Sequence, residues 1–334
     1  IYRKGMAVMP VCFGVSFTNT SMNQARALVH IYQDGSIGIS TGAVEMGQGV
    51  NTKLIQVAAR VFSVSPDRIK IETTNTSRVA NTSPTAASSG ADLNGNALLI
   101  ACNKLLERLK SVAAAVVNCS PGEIEIRDEK VFINGTPTEF TWEKLVTLAF
   151  LGRMSLSEQG HYATPKIWFD KSKEKGQPFA YHVYGTAVII VRLDCLRGTY
   201  KIEKVQMVHD FGNSLNPAID MGQMEGGIMQ GIGWMTMEEV LFNKEGRMLT
   251  DSLSTYKVPD IYSAPGELVC QALETEGPEP AIFKSKAIGE PPFMYGIAAF
   301  FALQNAVKAF NPEWEPDFDA PLTPEKILMR LYAR

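Results

Sequence analysis

The sequence predicts a mixed α+β fold arranged in two lobes. The chain has 334 residues, of which 45% are hydrophobic, and this is enough apolar material for two cores. Alternating apolar and polar residues predict paired strands within 27–40 and again within 185–208. Segments with helical spacing follow both pairs. A charged connection containing Gly and Pro lies between them, and we therefore expect a first lobe of residues 1–160 and a second lobe of residues 161–334.

Composition excludes several classes of protein. The net charge of −3 argues against a nucleic-acid partner. The sequence contains no apolar run of about 18 residues and begins without a secretory h-region, so we expect no membrane segment and a cytoplasmic location. The five cysteines are dispersed without a CxxC pair. They predict reduced thiols rather than a zinc ribbon or an iron–sulfur cluster in this chain.

The first lobe contains two loops of small residues, each placed before a helix. A hairpin around Asp34–Gly35 leads into the loop 41–49, and a helix over 51–62 follows. Strand, glycine loop and helix is an arrangement that presents backbone N–H groups to an anion. The loop does not match the GxGxxG or Walker patterns, however, and a tight turn is an equally good interpretation.

The second such loop spans 81–90 and precedes a helix predicted over 91–109. Its Ser, Thr, Ala and Gly residues suit a flexible linker, but their hydroxyls could also cap free N–H groups and bind phosphate. Two loops of this kind favour a large cofactor that bears phosphate. The hairpin 123–135 and the helix 141–150 are predicted to be peripheral.

The second lobe begins with strands over 185–193 and 200–208, followed by a helix over 218–240. That helix contains five glycines, which predict that something packs close to its backbone: Gly222, Gly226, Gly227, Gly231 and Gly233. Tight helix–sheet packing is the alternative explanation. Its Gln223 and Gln230 could bind a heterocycle. His209 and Asp210 suggest a catalytic dyad, but neighbours on an extended segment point to opposite faces, so we favour a structural role.

The segment 286–293 places Glu290 between a glycine and two prolines. Pro291 and Pro292 fix φ and lack N–H groups, and they therefore predict the first turn of a helix that continues through the apolar segment 294–310. A carboxylate held at this point is either a helix cap or a catalytic base. The local sequence alone favours the cap. The motifs of the rest of the chain favour the base.

Five motifs in this order resemble the molybdenum hydroxylases, the xanthine dehydrogenase and aldehyde oxidase family. They are FGVSFT (13–18), EMGQG (45–49), SPTAAS (83–88), NPAIDMGQMEG (216–226) and KAIGEPP (286–292). None of them is specific alone, but their order is. The resemblance implies the two-lobed molybdopterin-binding fold of that family.

The resemblance also implies roles for individual residues. Glu290 is the general base that takes a proton from the water-derived oxygen as it is inserted into the substrate. The residues that contact the pterin and the molybdenum ligands are Met46, Gly47, Gln48, Gly49, Ala87, Ser88, Ser89, Gly90, Gln223 and Gly289. Those facing the substrate are Phe13, Phe17 and Thr18. No side chain coordinates the metal, because the pterin dithiolene holds it.

The same resemblance implies cofactors and partners. The expected cofactor is Mo-molybdopterin cytosine dinucleotide with a terminal sulfido or selenido ligand. The motifs match only the later part of the family's molybdenum region, which implies a second molybdopterin subunit, a [2Fe–2S] iron–sulfur subunit and an FAD subunit. The substrate is a small electron-poor N-heterocycle, with nicotinate favoured, NADP+ as the final acceptor and a purine as the alternative. A non-catalytic scaffold that binds the pterin is a further alternative.

Overall fold

The computed structural model describes residues 1–72 and 74–333, and the chain folds into two compact units. The loop unit consists of Val15–Tyr181 and Pro278–Lys284. The glutamate unit consists of Ile1–Gly14, His182–Gly277 and Ser285–Arg334. Each unit is therefore assembled from separate segments. The sequence analysis placed all of residues 1–160 in one lobe, whereas residues 1–14 group with the glutamate unit.

The elements follow one another along the chain as mixed strands and helices. The strands are β1 (Tyr2–Val15), β2 (Gln24–Ile31), β3 (Ile37–Thr41), β4 (Ile69–Ile71), β5 (Ile124–Arg127), β6 (Lys130–Ile133), β7 (Thr136–Thr141), β8 (Ser157–Ala163), β9 (Trp168–Asp170), β10 (Lys175–Gln177), β11 (Tyr181–Asp194), β12 (Tyr200–His209) and β13 (Glu267–Ala272). The α-helices are α1 (Val50–Phe62), α2 (Gly90–Val117), α3 (Trp142–Leu151), α4 (Pro217–Thr236), α5 (Pro291–Tyr295), α6 (Ile297–Lys308) and α7 (Pro324–Leu331).

The loop unit is built on a four-stranded sheet in the order β4-β3-β2-β8. The hairpin predicted around Asp34–Gly35 joins β2 and β3, and Gly35 adopts a φ of +83°, which a residue without Cβ tolerates. Strands β3 and β4 pair in parallel and are connected through α1. All five residues of β3 are buried, which is typical of a strand covered on both faces. The loop that follows β3 therefore begins at the centre of the sheet.

A smaller three-stranded sheet, β5-β6-β7, precedes α3 and lies at the edge of the loop unit. Thr141 caps α3, because its side chain accepts a hydrogen bond from the Lys144 N–H. The Trp142 indole donates to the Gly35 carbonyl at 2.7 Å and ties α3 to the β2–β3 hairpin. The hairpin and helix predicted for this region are confirmed.

The glutamate unit is built on a second four-stranded sheet in the order β1-β11-β12-β13. Strands β11 and β12 are antiparallel and β12 and β13 are parallel. Inward-facing residues of β11 and β12, such as Ile189, Val191 and Val205, form one apolar cluster with residues of α4 and α6. This cluster supports α5, the short helix that begins directly after Glu290.

Three helices differ in length from the prediction. Helix α2 continues to Val117, since the segment after residue 109 is rich in alanine and meets its first left-handed residue at Asn118. Helix α4 ends at Thr236 rather than at 240. The apolar segment 294–310 is divided, because Gly296 separates α5 from α6. Within the parts of the chain that the structure describes, no helix is both long and apolar enough to cross a membrane.

Candidate functional site

The glycine loop before α1 is held by a carboxylate from within the loop itself. Oε1 of Glu45 accepts hydrogen bonds from the backbone N–H groups of Gly47 and Gly49, each at 2.9 Å. Oε2 accepts from the N–H of Asn51, also at 2.9 Å, in the first turn of the helix. The sequence analysis left open whether these N–H groups bind an external anion or form a tight turn. The structure shows a tight turn in which these N–H groups bind the Glu45 carboxylate of the same loop.

Electrostatics agree with this role for Glu45. Partial burial raises the pKa of its carboxyl, but hydrogen bonds from the backbone of Asn51, Gly49, Gly47 and Gln48 outweigh burial and lower it overall. The carboxylate is therefore charged at neutral pH and complements the positive end of α1. Its contribution to stability is present above the ordinary carboxyl pKa and is lost as pH falls through the lowered pKa.

Gln48 also turns back onto this loop. Its side-chain carbonyl accepts from the Met46 N–H at 2.5 Å, and its amide donates to the Val44 carbonyl at 2.7 Å. The Gln48 side chain thus shapes the loop, and Gly47 and Gly49 adopt positive φ values of 102° and 77° that glycine permits. Nothing lies within 4 Å of the position that a Cβ on Gly47 would take, so this part of the loop is open.

The two small-residue loops of the loop unit lie side by side. The Thr85 hydroxyl accepts a hydrogen bond from the Val44 N–H at 2.9 Å. A Cβ added to Gly42 would overlap the Thr82 side chain, so the two loops also meet closely at that point. The two loops, which are separate in sequence, are therefore neighbours at residues 42–44 and 82–85.

The second loop enters α2 through two strained residues. Ala87 and Ser88 both have left-handed backbone conformations, with φ of 54° and 52°, which cost L-residues about 1–2 kcal/mol each. Ser89 precedes the helix, but its side chain makes no capping hydrogen bond, because the hydroxyl donates to the Ala86 carbonyl at 3.0 Å. A long helix that begins this way presents its first N–H groups and its positive dipole end at Gly90.

Asp92 anchors the first turn of α2 from behind. The Tyr181 hydroxyl donates to its Oδ2, and the Ile282 N–H donates to its Oδ1 at 2.9 Å. Burial raises the pKa of Asp92 to about 6, although both hydrogen bonds and the Lys53 charge act in the opposite direction. The segment 278–284 is held to α2 at this point, which fixes the end of the helix that carries Gly90.

A buried asparagine holds the turn that carries Phe17 and Thr18. Asn23 accepts from the Phe17 N–H at 2.8 Å and donates to the Phe17 carbonyl at 2.9 Å. Ser16 has a φ of 136°, which marks the bend after β1. Phe17 is half-buried and Thr18 is exposed. Asn23 was not predicted, because a single Asn between Met22 and Gln24 carries no distinguishing local signal.

Glu290 lies at the N-cap position of α5, and its side chain makes no capping hydrogen bond. Pro291 and Pro292 occupy the first two helical positions and have no N–H groups. The N–H of Phe293 donates to the backbone carbonyl of Glu290 at 3.1 Å. The first turn therefore offers the carboxylate no donor of the kind an N-cap side chain uses. The prediction of prolines in the first turn is confirmed, and the helix-cap interpretation of the carboxylate is wrong.

Four of the five glycines of α4 divide between two faces, and a Cβ on the fifth, Gly233, would overlap Pro259. Gly227 and Gly231 face α5: a Cβ on Gly231 would overlap the Phe293 carbonyl oxygen, and one on Gly227 would lie 2.9 Å from Pro292 Cβ. These glycines are explained by close helix packing, the alternative that the sequence analysis left open. Gly222 and Gly226 have nothing within 4 Å of their Cβ positions, and the neighbouring Gln223 is half-buried.

The adjacent residues His209 and Asp210 make separate contacts, so the catalytic-dyad hypothesis is wrong and the favoured structural role holds. Asp210 is buried and forms an ion pair of 2.5 Å with Lys286. His209 is fully buried, and its Nδ1 lies 2.7 Å from the hydroxyl of Tyr295. Both contacts connect the end of β12 to the segment around Glu290. Neither could be inferred from sequence, since the partners are 76 and 86 positions away.

A groove of about 910 Å³ lies elsewhere in the glutamate unit, lined among others by Arg192, Tyr200 and Tyr262. No residue predicted to bind cofactor or substrate lines it. We therefore assign it no part in the candidate site.

Comparison with known proteins identifies the family. The family of molybdopterin cofactor-binding domains has a model that matches residues 1–265. The chain belongs to this family. The family resemblance and the fold class predicted from the motifs are confirmed.

Relatives of this molybdopterin-binding chain are much longer proteins. It is 41% identical to the xanthine dehydrogenase/oxidase of Felis catus over 332 residues, which is 97% of the chain and 23% of that relative. Xanthine dehydrogenase 2 of Arabidopsis thaliana is 38% identical over 342 residues, covering 99% of the chain and 24% of the relative. The chain thus spans about a quarter of the length of the curated relatives it matches.

Solved structures share its fold. Quinoline 2-oxidoreductase from Pseudomonas putida 86 matches with a TM-score of 0.87 and 23% identity, over 100% of this chain and 42% of the other. The aldehyde oxidoreductase of Desulfovibrio gigas matches with a TM-score of 0.78 and 22% identity, over 99% and 33% of the two chains. At these identities the likeness establishes the fold of the molybdopterin-binding chain.

The loops of this molybdopterin-binding chain suit the cofactor of its family. A phosphate-bearing group fits the dipole end of α2 at Gly90, and the strained backbone at Ala87 and Ser88 is of the kind that persists at ligand sites. The open position at Gly47 likewise leaves room for a flat ring system against the first loop. The contacts of Glu45 were not predicted, because a glutamate four positions before the N-cap residue Gly49 follows no standard capping pattern.

Proposed function

We propose that this chain supplies the catalytic carboxylate and part of the cofactor-binding surface of a molybdenum hydroxylase that inserts water-derived oxygen into an electron-poor N-heterocycle. The observation that carries the proposal is the position of Glu290. It begins a helix whose first two positions are prolines, so its backbone is fixed and its side chain is not used as a cap. The same helix is seated on the glycine face of α4.

When bound, the cofactor would take up the hydrogen and the two electrons that the ring carbon loses as its C–H bond is replaced by a C–O bond. Glu290 then acts as the general base: it accepts the proton of the water-derived oxygen as that oxygen attacks the electron-poor ring carbon. A base needs a fixed position within hydrogen-bond reach of the proton it removes. Pro291 and Pro292 fix the backbone next to Glu290, and the packing of α5 on Gly227 and Gly231 fixes the helix.

We propose that the cofactor is Mo-molybdopterin cytosine dinucleotide, with a terminal sulfido or selenido ligand on the metal. In the loop unit, Met46, Gly47, Gln48 and Gly49 would contact the pterin and metal-ligand region, and residues 87–90 would hold the pyranopterin and its phosphates. In the glutamate unit, Gln223 and Gly289 would contribute. Because the Gln48 side chain is engaged with its own loop, its backbone is the better candidate for the contact.

The substrate would contact Phe13, Phe17 and Thr18. The identity of the chain to xanthine dehydrogenases, between 38% and 41% in the examples above, supports a purine. Nicotinate is the second candidate, converted to 6-hydroxynicotinate with NADP+ as final acceptor. It is supported by the expected division of the molybdenum region between two subunits, which resembles nicotinate dehydrogenase with this chain as the medium molybdopterin subunit, although the motifs themselves are closer to the purine-oxidising branch. Electrons would leave through [2Fe–2S] and FAD subunits, and a second molybdopterin subunit would complete the metal region.

The proposal is tested by Glu290→Gln in the complex purified with its natural partners, assayed with xanthine and with nicotinate. We expect turnover to fall by about 10²–10⁴-fold, the usual contribution of a general base, with molybdenum content unchanged. The matched control is Glu315→Gln, which removes an exposed carboxylate of the same unit that pairs with Lys308 on the surface. It should retain wild-type turnover.

Wild-type turnover in Glu290→Gln would contradict the proposal and favour a non-catalytic scaffold that only binds the pterin. The substrate is decided separately by comparing kcat/KM for the two heterocycles. A purine preference supports the xanthine branch, and a nicotinate preference supports the second candidate. Absence of molybdenum from the wild-type complex would contradict both.

A further inference from the structure

Four consecutive residues, 209–212, hold both ends of the segment that carries Glu290. At the near end, the backbone N–H of Lys286 donates to the Phe211 carbonyl at 2.7 Å, and Gly212 forms an isolated β-bridge with Ser285. The buried ion pair between Asp210 and Lys286 reinforces this attachment. Glu290 itself is exposed and lies beyond this anchored point.

The far end of the segment is attached by His209. Its ring lies edge-on to Tyr295, the last residue of α5, with centroids 5.8 Å apart and planes at 82°. Nδ1 lies 2.7 Å from the tyrosine hydroxyl, and both side chains are fully buried. Nε2 makes no hydrogen bond of ordinary geometry to a described group. The Tyr295 hydroxyl is therefore the side-chain partner of this ring, and the backbone of Ala287 also interacts with it.

Burial keeps both partners of that hydrogen bond uncharged. Burial lowers the pKa of His209 to about 4, although Asp210, the backbone of Ala287 and Asp220 favour a proton on the ring. The imidazole is therefore neutral at physiological pH. Burial and the Asp210 charge also raise the pKa of Tyr295, which stays protonated. A neutral imidazole and a protonated tyrosine hydroxyl share one hydrogen bond at Nδ1 in either ring tautomer, because the hydroxyl can donate or accept.

The surrounding structure makes room for this contact. Gly185 is the cross-strand partner of His209 in the β11–β12 pair. A Cβ at Gly185 would overlap the Tyr295 hydroxyl, so the hydroxyl occupies space that only glycine leaves. A purely apolar core needs no hydroxyl here, and burying one is unfavourable unless it is hydrogen-bonded. The trio of Gly185, His209 and Tyr295 therefore has a more specific role than filling volume.

We propose that the His209–Tyr295 hydrogen bond fixes the orientation of α5 and, through it, the carboxylate of Glu290, which makes His209 and Tyr295 positioning residues for the base. The inference rests on the proposed function of Glu290. The connection between the two residues is short, because α5 has five residues, Glu290 is its N-cap residue and Tyr295 is its last residue. A rotation of the helix at Tyr295 would displace the carboxylate at the other end.

The test is Tyr295→Phe in the holoenzyme complex, because phenylalanine keeps the ring and removes only the hydroxyl. We expect the rate of enzyme reduction by substrate in a single turnover to fall by about 10–100-fold, the range expected when a reacting group is misplaced by up to about 1 Å. KM and molybdenum content should not change. Tyr200→Phe is the matched control, since it removes a hydroxyl that donates to the Thr236 carbonyl in the same unit. It should keep the wild-type rate.

A double-mutant cycle separates positioning from general stability. If Tyr295 acts through Glu290, Tyr295→Phe should cause no further loss in a Glu290→Gln background. Hydrogen exchange of the 285–296 peptide should also become faster in Tyr295→Phe, and this readout is independent of activity. A wild-type rate in Tyr295→Phe, or an equal loss in both backgrounds, would overturn the inference while leaving the proposed function intact. Wild-type turnover in Glu290→Gln alone would instead overturn the proposed function, and the inference with it.

Discussion

Glu45 and Glu290 are both glutamates placed at the start of a helix, and their surroundings differ in one decisive way. Glu45 is followed by residues with free N–H groups, and its carboxylate accepts from Gly47, Gly49 and Asn51. Glu290 is followed by Pro291 and Pro292, which have none. The Glu45 carboxylate therefore stabilises its own loop. The Glu290 backbone is fixed by the two prolines, and its carboxylate makes no capping hydrogen bond to the helix.

This difference shows what the two prolines do beyond ending a loop. An N-cap side chain usually accepts from the second or third helical N–H. In α5 the second position is Pro292, and the third N–H is taken by the carbonyl of Glu290. Pro292 therefore removes the helix N–H group that would otherwise bind the Glu290 carboxylate.

The largest effect is expected from changing the surface of α4 on which α5 packs. In Gly231→Ala the new methyl group would meet the backbone carbonyl of Phe293, which cannot move aside, so we expect a loss of about 1–3 kcal/mol of stability. Urea denaturation of the purified protein measures it. The matched variant is Gly226→Ala on the open face of the same helix, which should raise stability by up to about 1 kcal/mol through helix propensity. Equal stabilities for the two variants would contradict the assignment of the faces.

The contrast between local and distant contacts explains how much could be predicted from sequence. The Asp34–Gly35 hairpin, the helix starts and the Pro-Pro turn were predicted because each depends on a few neighbouring residues. The end of α2 and the break at Gly296 were not, since tertiary packing decides them. In the candidate site, the contacts of Glu45 are local in sequence but follow no standard capping pattern, so they were not predicted. The His209–Tyr295 and Asp210–Lys286 contacts were not readable, because they depend on how β12 meets a segment 76 to 86 positions away.

A smaller effect is expected from restoring a capping donor to α5. Pro292→Ala keeps the Cβ that contacts Gly227 but returns an N–H at the second helical position. The Glu290 carboxylate should then accept it, which holds the carboxylate against the helix instead of leaving it to act as the base, and turnover should fall about tenfold. Steady-state turnover of the complex measures this change. Pro291→Ala is the control, because an N–H at the first position is not the one a cap uses, and its loss should stay under about threefold. A larger loss in Pro291→Ala than in Pro292→Ala would contradict this account of the prolines.

The smallest effect is expected from Glu45→Gln, which removes the charge that holds the glycine loop. Glu45 is exposed, so we expect a loss of only about 1 kcal/mol at neutral pH, comparable to the loss of a helix cap. Because the folded protein lowers the pKa of Glu45, the wild-type advantage should persist above the ordinary carboxyl pKa and disappear as pH falls through the lowered value. Urea denaturation at pH 7 and in acid measures this, with Glu107→Gln on the exposed face of α2 as the control. An advantage that grows in acid would mean that the loop is held by contacts other than this carboxylate, and the contrast with Glu290 would then lose its basis.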